Sequence, residues 1–131
     1  MQADFTLAVD ELNNGSTVNH AYTKFDVVGN KATYIGPSHS VAVRNKCELY
    51  RTLPTQSGNY KGTLKSTVKF TIDRTVEGVD GNDIVAPQIY EVSCSNPVGV
   101  TVAQTLLARQ IILAMMDHEA VMADLNNLGE I

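Results

Sequence analysis

Long apolar runs are missing from this chain. The longest, Ile111 to Met116, falls far short of the ~20 residues needed to cross a bilayer. No secretory leader is expected either, because Asp4, Asp10 and Glu11 interrupt the N-terminus where an apolar stretch would lie. A soluble protein made in a cytoplasm is expected, and Asn14-Gly15-Ser16 then reads as turn chemistry, not a glycosylation site. Cysteine is scarce. Cys47 and Cys94 each fall on the apolar side of a strand pattern, which predicts buried, reduced thiols instead of a disulfide framework. Catalytic motifs are lacking as well. His20, His39 and His118 have no metal-ligand spacing, and there is no G-x-S-x-G, P-loop or dinucleotide fingerprint. Asp80-Gly81-Asn82-Asp83 resembles the start of a calcium loop, but Ile84 and Val85 stand where an oxygen ligand and a turn glycine are required. Asp117-His118-Glu119 reads as helix capping. No enzyme activity, metal or cofactor is expected.

What is present suits one small folded domain over residues 1–131. With 44% hydrophobic and 18% charged residues, disorder is excluded. The net charge of −4 conceals an uneven distribution. Residues 28–74 hold eight Lys and Arg against Glu48 and Asp73, whereas residues 75–131 hold Arg109 against eight acids. A basic middle between acidic flanks predicts one surface that meets a polyanion.

The hydrophobic pattern predicts an α+β plan: antiparallel strands first, helices last. Phe5, Leu7 and Val9 alternate with polar positions and lead into the turn Asn13-Asn14-Gly15-Ser16, so residues 1–28 form a hairpin with Val18 to Val28 returning. Residues 31–97 form the sheet. Its strands run over Lys31–Ile35, Val41–Leu53, Thr63–Ile72 and Ile89–Pro97, with a long mobile loop at Arg74 to Pro87. Residues 101–128 form two helices. Thr101 caps Val102 to Met116, and Asp117 caps a shorter helix holding Val121, Met122, Leu125 and Leu128, stopped by Gly129. The first helix is apolar on more than one stripe, so Leu106, Leu107, Ile111 and Met115 are predicted to meet a second copy of the chain.

The other lead is the stretch STVKFTID, Ser66 to Asp73, in which Val68, Phe70 and Ile72 alternate with Thr67, Lys69 and Thr71. If strands three to five are neighbours, Lys31, Arg44, Lys46, Lys65, Lys69 and their threonines share one face with Tyr50 and Glu48. Lysine and arginine neutralise phosphates, hydroxyls bond phosphates or base edges, and a ring can stack on a base.

The order of these parts, with STVKFTID, YEVSCSNPVGVT and LLARQIILAMMDHEAVMADLNNLGEI, resembles the coat proteins of single-stranded RNA bacteriophages, the leviviruses. The likeness covers nearly the whole chain. It implies an N-terminal hairpin, a five-stranded antiparallel sheet and two helices, with two chains interlocked over a ten-stranded sheet. It further implies an icosahedral virion shell assembled in the bacterial cytoplasm around genomic RNA, with a maturation protein as a candidate minor partner and no membrane.

In that family the inner sheet face also binds an RNA hairpin and represses replicase translation. Thr67 and Lys69 match the Thr and Lys that hold an unpaired adenine there. Lys46 and Glu48 fall where small hydroxyl residues are frequent, Lys31 replaces a small apolar residue, and Ile89 replaces a stacking Tyr, with Glu91 two residues on. These departures point to general genome contact. The resemblance thus assigns RNA contact to Lys31, Arg44, Lys46, Thr67, Lys69 and Glu91. The rival reading is a non-viral, dimeric RNA-binding regulatory module that builds no shell.

Overall fold

The computed structural model describes residues 3–126. Six strands pair in chain order as one antiparallel sheet: β1 (Phe5–Val9), β2 (Val18–Val28), β3 (Lys31–Ile35), β4 (Asn45–Thr52), β5 (Thr63–Glu77) and β6 (Asp83–Pro97). Two helices follow, α1 (Val102–Met116) and α2 (Glu119–Asn126). β2 belongs both to the N-terminal hairpin and to the five strands of the main sheet, so the α+β plan read from the pattern is the one observed.

Turn chemistry explains the first connection. The Asp10 carboxylate accepts from the backbone N–H groups of Asn14 and Gly15 at 2.9 and 2.8 Å. Asn13 and Gly15 supply the positive φ angles, at 52° and 88°. Between Lys24 and Asp26 the β2–β3 register slips, a β-bulge that leaves Phe25 as the extra residue. The main core is small. Tyr22, Ala32, Tyr34 and Cys47 are buried, with Phe5, Leu49 and Phe70 packed against them. Ring centroids lie 5.3 Å apart for Phe5–Tyr22, 4.8 Å for Phe5–Tyr34 and 5.7 Å for Tyr22–Phe70, the spacing of stacked and edge-on aromatic pairs. Burial, reinforced by the Glu48 charge, pushes the Cys47 thiol up to about 11, so it stays a protonated core group.

Several boundaries differ from the pattern-based expectation. The long loop at 74–87 is mostly strand: β5 and β6 stay in register from Thr63↔Pro97 to Glu77↔Asp83. Only residues 78–82 form the connection, closed by Gly78 N–H donating to the Asn82 carbonyl at 2.7 Å. Polar residues on both faces hid this extension, since pairing there rests on backbone bonds and not on a buried side. β4 begins at Asn45, not Val41, because the preceding residues fold into a turn in which Asn45 N–H donates to His39 Nδ1 at 3.0 Å. Cys94 is free but exposed, since no described residue covers its part of the apolar face. Asp117 ends α1 with its backbone N–H donating to Leu113, and His118 instead starts α2, its ring Nδ1 accepting from Val121 N–H at 3.4 Å. Leu128 and Gly129 lie outside the described residues.

α1 carries the predicted cap with a reciprocal partner: Gln104 N–H donates to Thr101 Oγ1 at 3.2 Å, and Thr101 N–H to Gln104 Oε1 at 3.0 Å. Yet no residue of α1 or α2 is buried. α1 packs against α2 and makes no extensive contact with any strand. Leu106, Leu107, Ile111 and Met115 stand 46%, 62%, 57% and 49% exposed. The chain exposes 9908 Å², about 3,000 Å² beyond the roughly 6,800 Å² expected of a folded monomer of its mass.

One backbone feature makes a direct test. Gly62 has φ 97°, and a Cβ there would meet the Thr55 carbonyl oxygen at 2.6 Å and its nitrogen at 2.7 Å, whereas Gly29 at φ 58° faces open space. Gly62→Ala is expected to cost on the order of 2–4 kcal/mol in denaturant unfolding and Gly29→Ala about 1 kcal/mol. Equal losses at the two positions would contradict the packing of Gly62 on Thr55.

Candidate nucleic-acid interface

Strand register assembles the polar face in three rows. Thr33, Glu48, Lys69 and Glu91 pair in series across β3 to β6. Lys31, Tyr50, Thr67 and Ser93 form the row on one side, and Ile35, Lys46, Thr71 and Ile89 the row on the other. Arg44 lies just ahead of β4, beside Asp73. The structure therefore brings all six residues assigned to RNA contact onto one surface. Period-two alternation does this. Val68, Phe70, Tyr90 and Val92 point to the opposite side.

Charge on this face is less free than the composition suggests. Glu48 is 3% exposed and sits under Lys31 and Lys46, whose ammonium groups lie 2.6 and 3.1 Å from its carboxylate. Tyr50 Oη donates to the same carboxylate at 3.0 Å. Burial pushes Glu48 upward, but the hydrogen bonds from Lys31, Lys46 and Tyr50 outweigh it and hold the carboxyl at about 2. The Lys31 ammonium also lies 5.3 Å from the Tyr50 ring centroid, so one face of that ring is already covered by a cation.

Asp73 performs the same service for Arg44. Its carboxylate accepts from Arg44 Nε at 3.0 Å, from Nη2 at 3.1 Å and from the Arg44 backbone N–H at 2.9 Å. The Arg44 side chain and backbone N–H bonds hold the Asp73 carboxyl below the usual carboxylate range. Among the described residues Lys65 and Lys69 make no ion pair, and the Thr67 hydroxyl shares a 3.3 Å hydrogen bond with Ser93. The face thus offers unpaired ammonium groups along β5, hydroxyls beside them, and three cations fixed in place by two buried acids.

Two participants escaped the reading from sequence. Asp73 closes the stretch Ser66 to Asp73, and only the register reveals its neighbour Arg44. Phe25 falls on the polar face by alternation from Tyr22, where it stands 71% exposed beside the bulge and lines a shallow pocket with Thr33, Ile35, Arg44 and Lys46. An aromatic out of phase with Tyr22 was the available signal. Among the described residues no group of three or more His, Cys, Asp and Glu is arranged to hold a metal ion. No described helix is long and apolar enough to cross a membrane.

No family model matches the chain, and no curated protein matches it by sequence. Solved structures do. The chain superposes on the virus-like particle of bacteriophage AVE019 with a TM-score of 0.76 at 18% identity, over 99% of this chain and 98% of that one. The virus-like particle of bacteriophage ESE058 gives 0.74 at 13% identity over 100% and 99%. The virus-like particle of Beihai levi-like virus 32 gives 0.70 at 19% identity over 86% and 88%. The chain has the levi-like phage coat-protein fold, with the sheet followed by two C-terminal helices.

The Glu48 cluster yields a pH test. A carboxyl held at about 2, against an ordinary 4.5, stabilises the fold fully above pH ~4.5 and loses that contribution as pH falls toward 2. Glu48→Gln should cost about 1–3 kcal/mol at neutral pH and flatten the acid limb of the stability curve between pH ~4.5 and ~2. An unchanged acid limb in urea unfolding would contradict the clamp.

Proposed function

We propose that this chain is the subunit of an icosahedral shell that packages single-stranded RNA. The observation that carries the reading is α1, a helix apolar on most sides with no buried residue, attached to a sheet whose own apolar face is half bare. Two copies solve both problems when each lays its helices on the other's sheet. β6 ends the strand order, so its outer edge has no strand partner among the described residues. Joining two such edges makes one ten-stranded sheet of β2 to β6 from each copy, with β1 outside it, and removes an edge fifteen residues long. The polar face of that sheet then looks inward and meets the genome through Lys65, Thr67 and Lys69, with Lys31, Arg44, Lys46 and Glu91 around them. The same face, meeting an RNA hairpin before assembly, supplies translational repression. Assembly takes place in the bacterial cytoplasm, and a maturation protein is the further partner this reading allows.

The full-length likeness to virus-like particles supports the fold half of this reading. The short connection at 78–82, with Gly78 and Gly81, is the segment that adapts to different positions in the shell. The test is electron microscopy of the expressed, purified protein, with nuclease treatment before RNA extraction. Closed particles holding protected RNA are expected. Ile111→Asp and Leu107→Asp are each expected to remove both particles and soluble dimer, since burying such a side chain contributes roughly 1.5–3 kcal/mol. Well-dispersed wild-type dimers that bind RNA and never close a shell would make the chain a regulatory module instead.

A further inference from the structure

The polar face carries one side chain that its chemistry does not explain. Phe25 sits among threonines and lysines, 71% exposed, on the side away from buried Tyr22, and the bulge at Lys24/Asp26 sets it with Asp26 against Thr33 alone. Bulges of this kind re-aim a side chain and concentrate beside functional sites. Here the ring beside the bulge forms one wall of a pocket of about 310 Å³, with Ile35 also lining it and Arg44 and Lys46 bringing their charges. The pocket is continuous with the rows already described, since Ile35 pairs with Lys46 and Thr33 with Glu48.

We infer that this pocket is a subsite for one unpaired base of single-stranded RNA, with Phe25 as the stacking platform. The inference rests on the RNA reading of this face and adds a place for a base to it. Three features select a base over a phosphate. First, a flat apolar ring that faces water on a nucleic-acid surface gains by stacking, and every base offers a π face.

Second, the cations at the pocket are already balanced. Arg44 is held by Asp73 and Lys46 by Glu48, so the pocket carries little net charge, and the unpaired ammonium groups that suit phosphates lie on β5. Third, directional groups remain. The Thr33 hydroxyl has no hydrogen-bond partner among the described residues, and the Arg44 guanidinium keeps donors beyond the two bound by Asp73. A base stacked on Phe25 meets both kinds of group at its edge, while its phosphates run toward Lys65 and Lys69.

The chain has no tryptophan, so Phe25→Trp creates a fluorophore that reports this pocket alone. The measurement uses full-length dimers before shell closure, titrated with an unstructured RNA 12-mer and with a perfect duplex of the same length. Phe25→Trp is expected to bind the single strand like wild type, with its emission quenched by that strand and not by the duplex. Phe25→Ala is expected to weaken single-strand binding about 5- to 150-fold and duplex binding by less than about twofold. Lys69→Ala serves as the control for the face itself, with the salt dependence shallower by about 0.7 for the single strand.

Wild-type affinity in Phe25→Ala with a loss in Lys69→Ala would overturn the subsite and leave the RNA face standing. No effect in either variant would remove the RNA reading as well. Normal RNA affinity in Phe25→Ala with failed shells would make Phe25 a contact between subunits, and the inference would fall. If Phe25→Ala does not fold, an unquenched Trp at position 25 on binding the single strand is sufficient to reject the subsite.

Discussion

A sheet one layer thick needs a second layer behind it, and this chain does not place one there. The aromatic corner of Phe5, Tyr22, Tyr34 and Phe70 closes over Cys47, but farther along β5 and β6 the apolar face carries Val68, Tyr90 and Val92 uncovered. The residues suited to cover such a face are in the same chain, on α1, and they do not reach it. The arrangement of helices, edge strand and bare face follows from that one mismatch. An excess of roughly 3,000 Å² in one chain exceeds what standard protein pairs bury and falls in the range of obligate assemblies once two copies contribute.

The opposite face obeys a different constraint. Five cations on one flat surface, Lys31, Arg44, Lys46, Lys65 and Lys69, would repel one another, and two buried acids offset the crowding. Glu48 gathers Lys31, Lys46 and Tyr50, and Asp73 gathers Arg44 through both side chain and backbone. The acids rigidify the centre and one end of the face and leave β5 as the stripe of available charge. A surface of this kind suits loose contact with many phosphates together with a few fixed positions where a ring or hydroxyl is held. Sequence composition alone would have overstated its charge.

How much was legible depended on whether a local signal existed. β3 and α1 were read to the residue, because Gly29-Asn30 and Gly36-Pro37 bracket one and the Thr101 cap begins the other. The outer halves of β5 and β6 were missed, since Arg74 to Glu77 and Asp83 to Pro87 alternate poorly and their pairing is inherited from the register set at Phe70↔Tyr90. Asp117 and His118 compete for one cap, and the helix geometry chose the histidine ring. The candidate face was legible as alternation. Its internal neutralisation was not, because the pairs Arg44–Asp73 and Lys31–Glu48 cross between strands. The bulge beside Phe25 has no turn residue to announce it.

The central claim is that one copy of this chain is incomplete as a folded unit. It is tested most directly by denaturant unfolding of the purified protein over a hundredfold range of concentration, with circular dichroism and sedimentation read on the same samples. Loss of strand and helix signal should coincide with dissociation, and the midpoint should rise with concentration, as mass action requires of an obligate assembly. A midpoint independent of concentration, with a compact and helical monomer at its low end, would contradict the account.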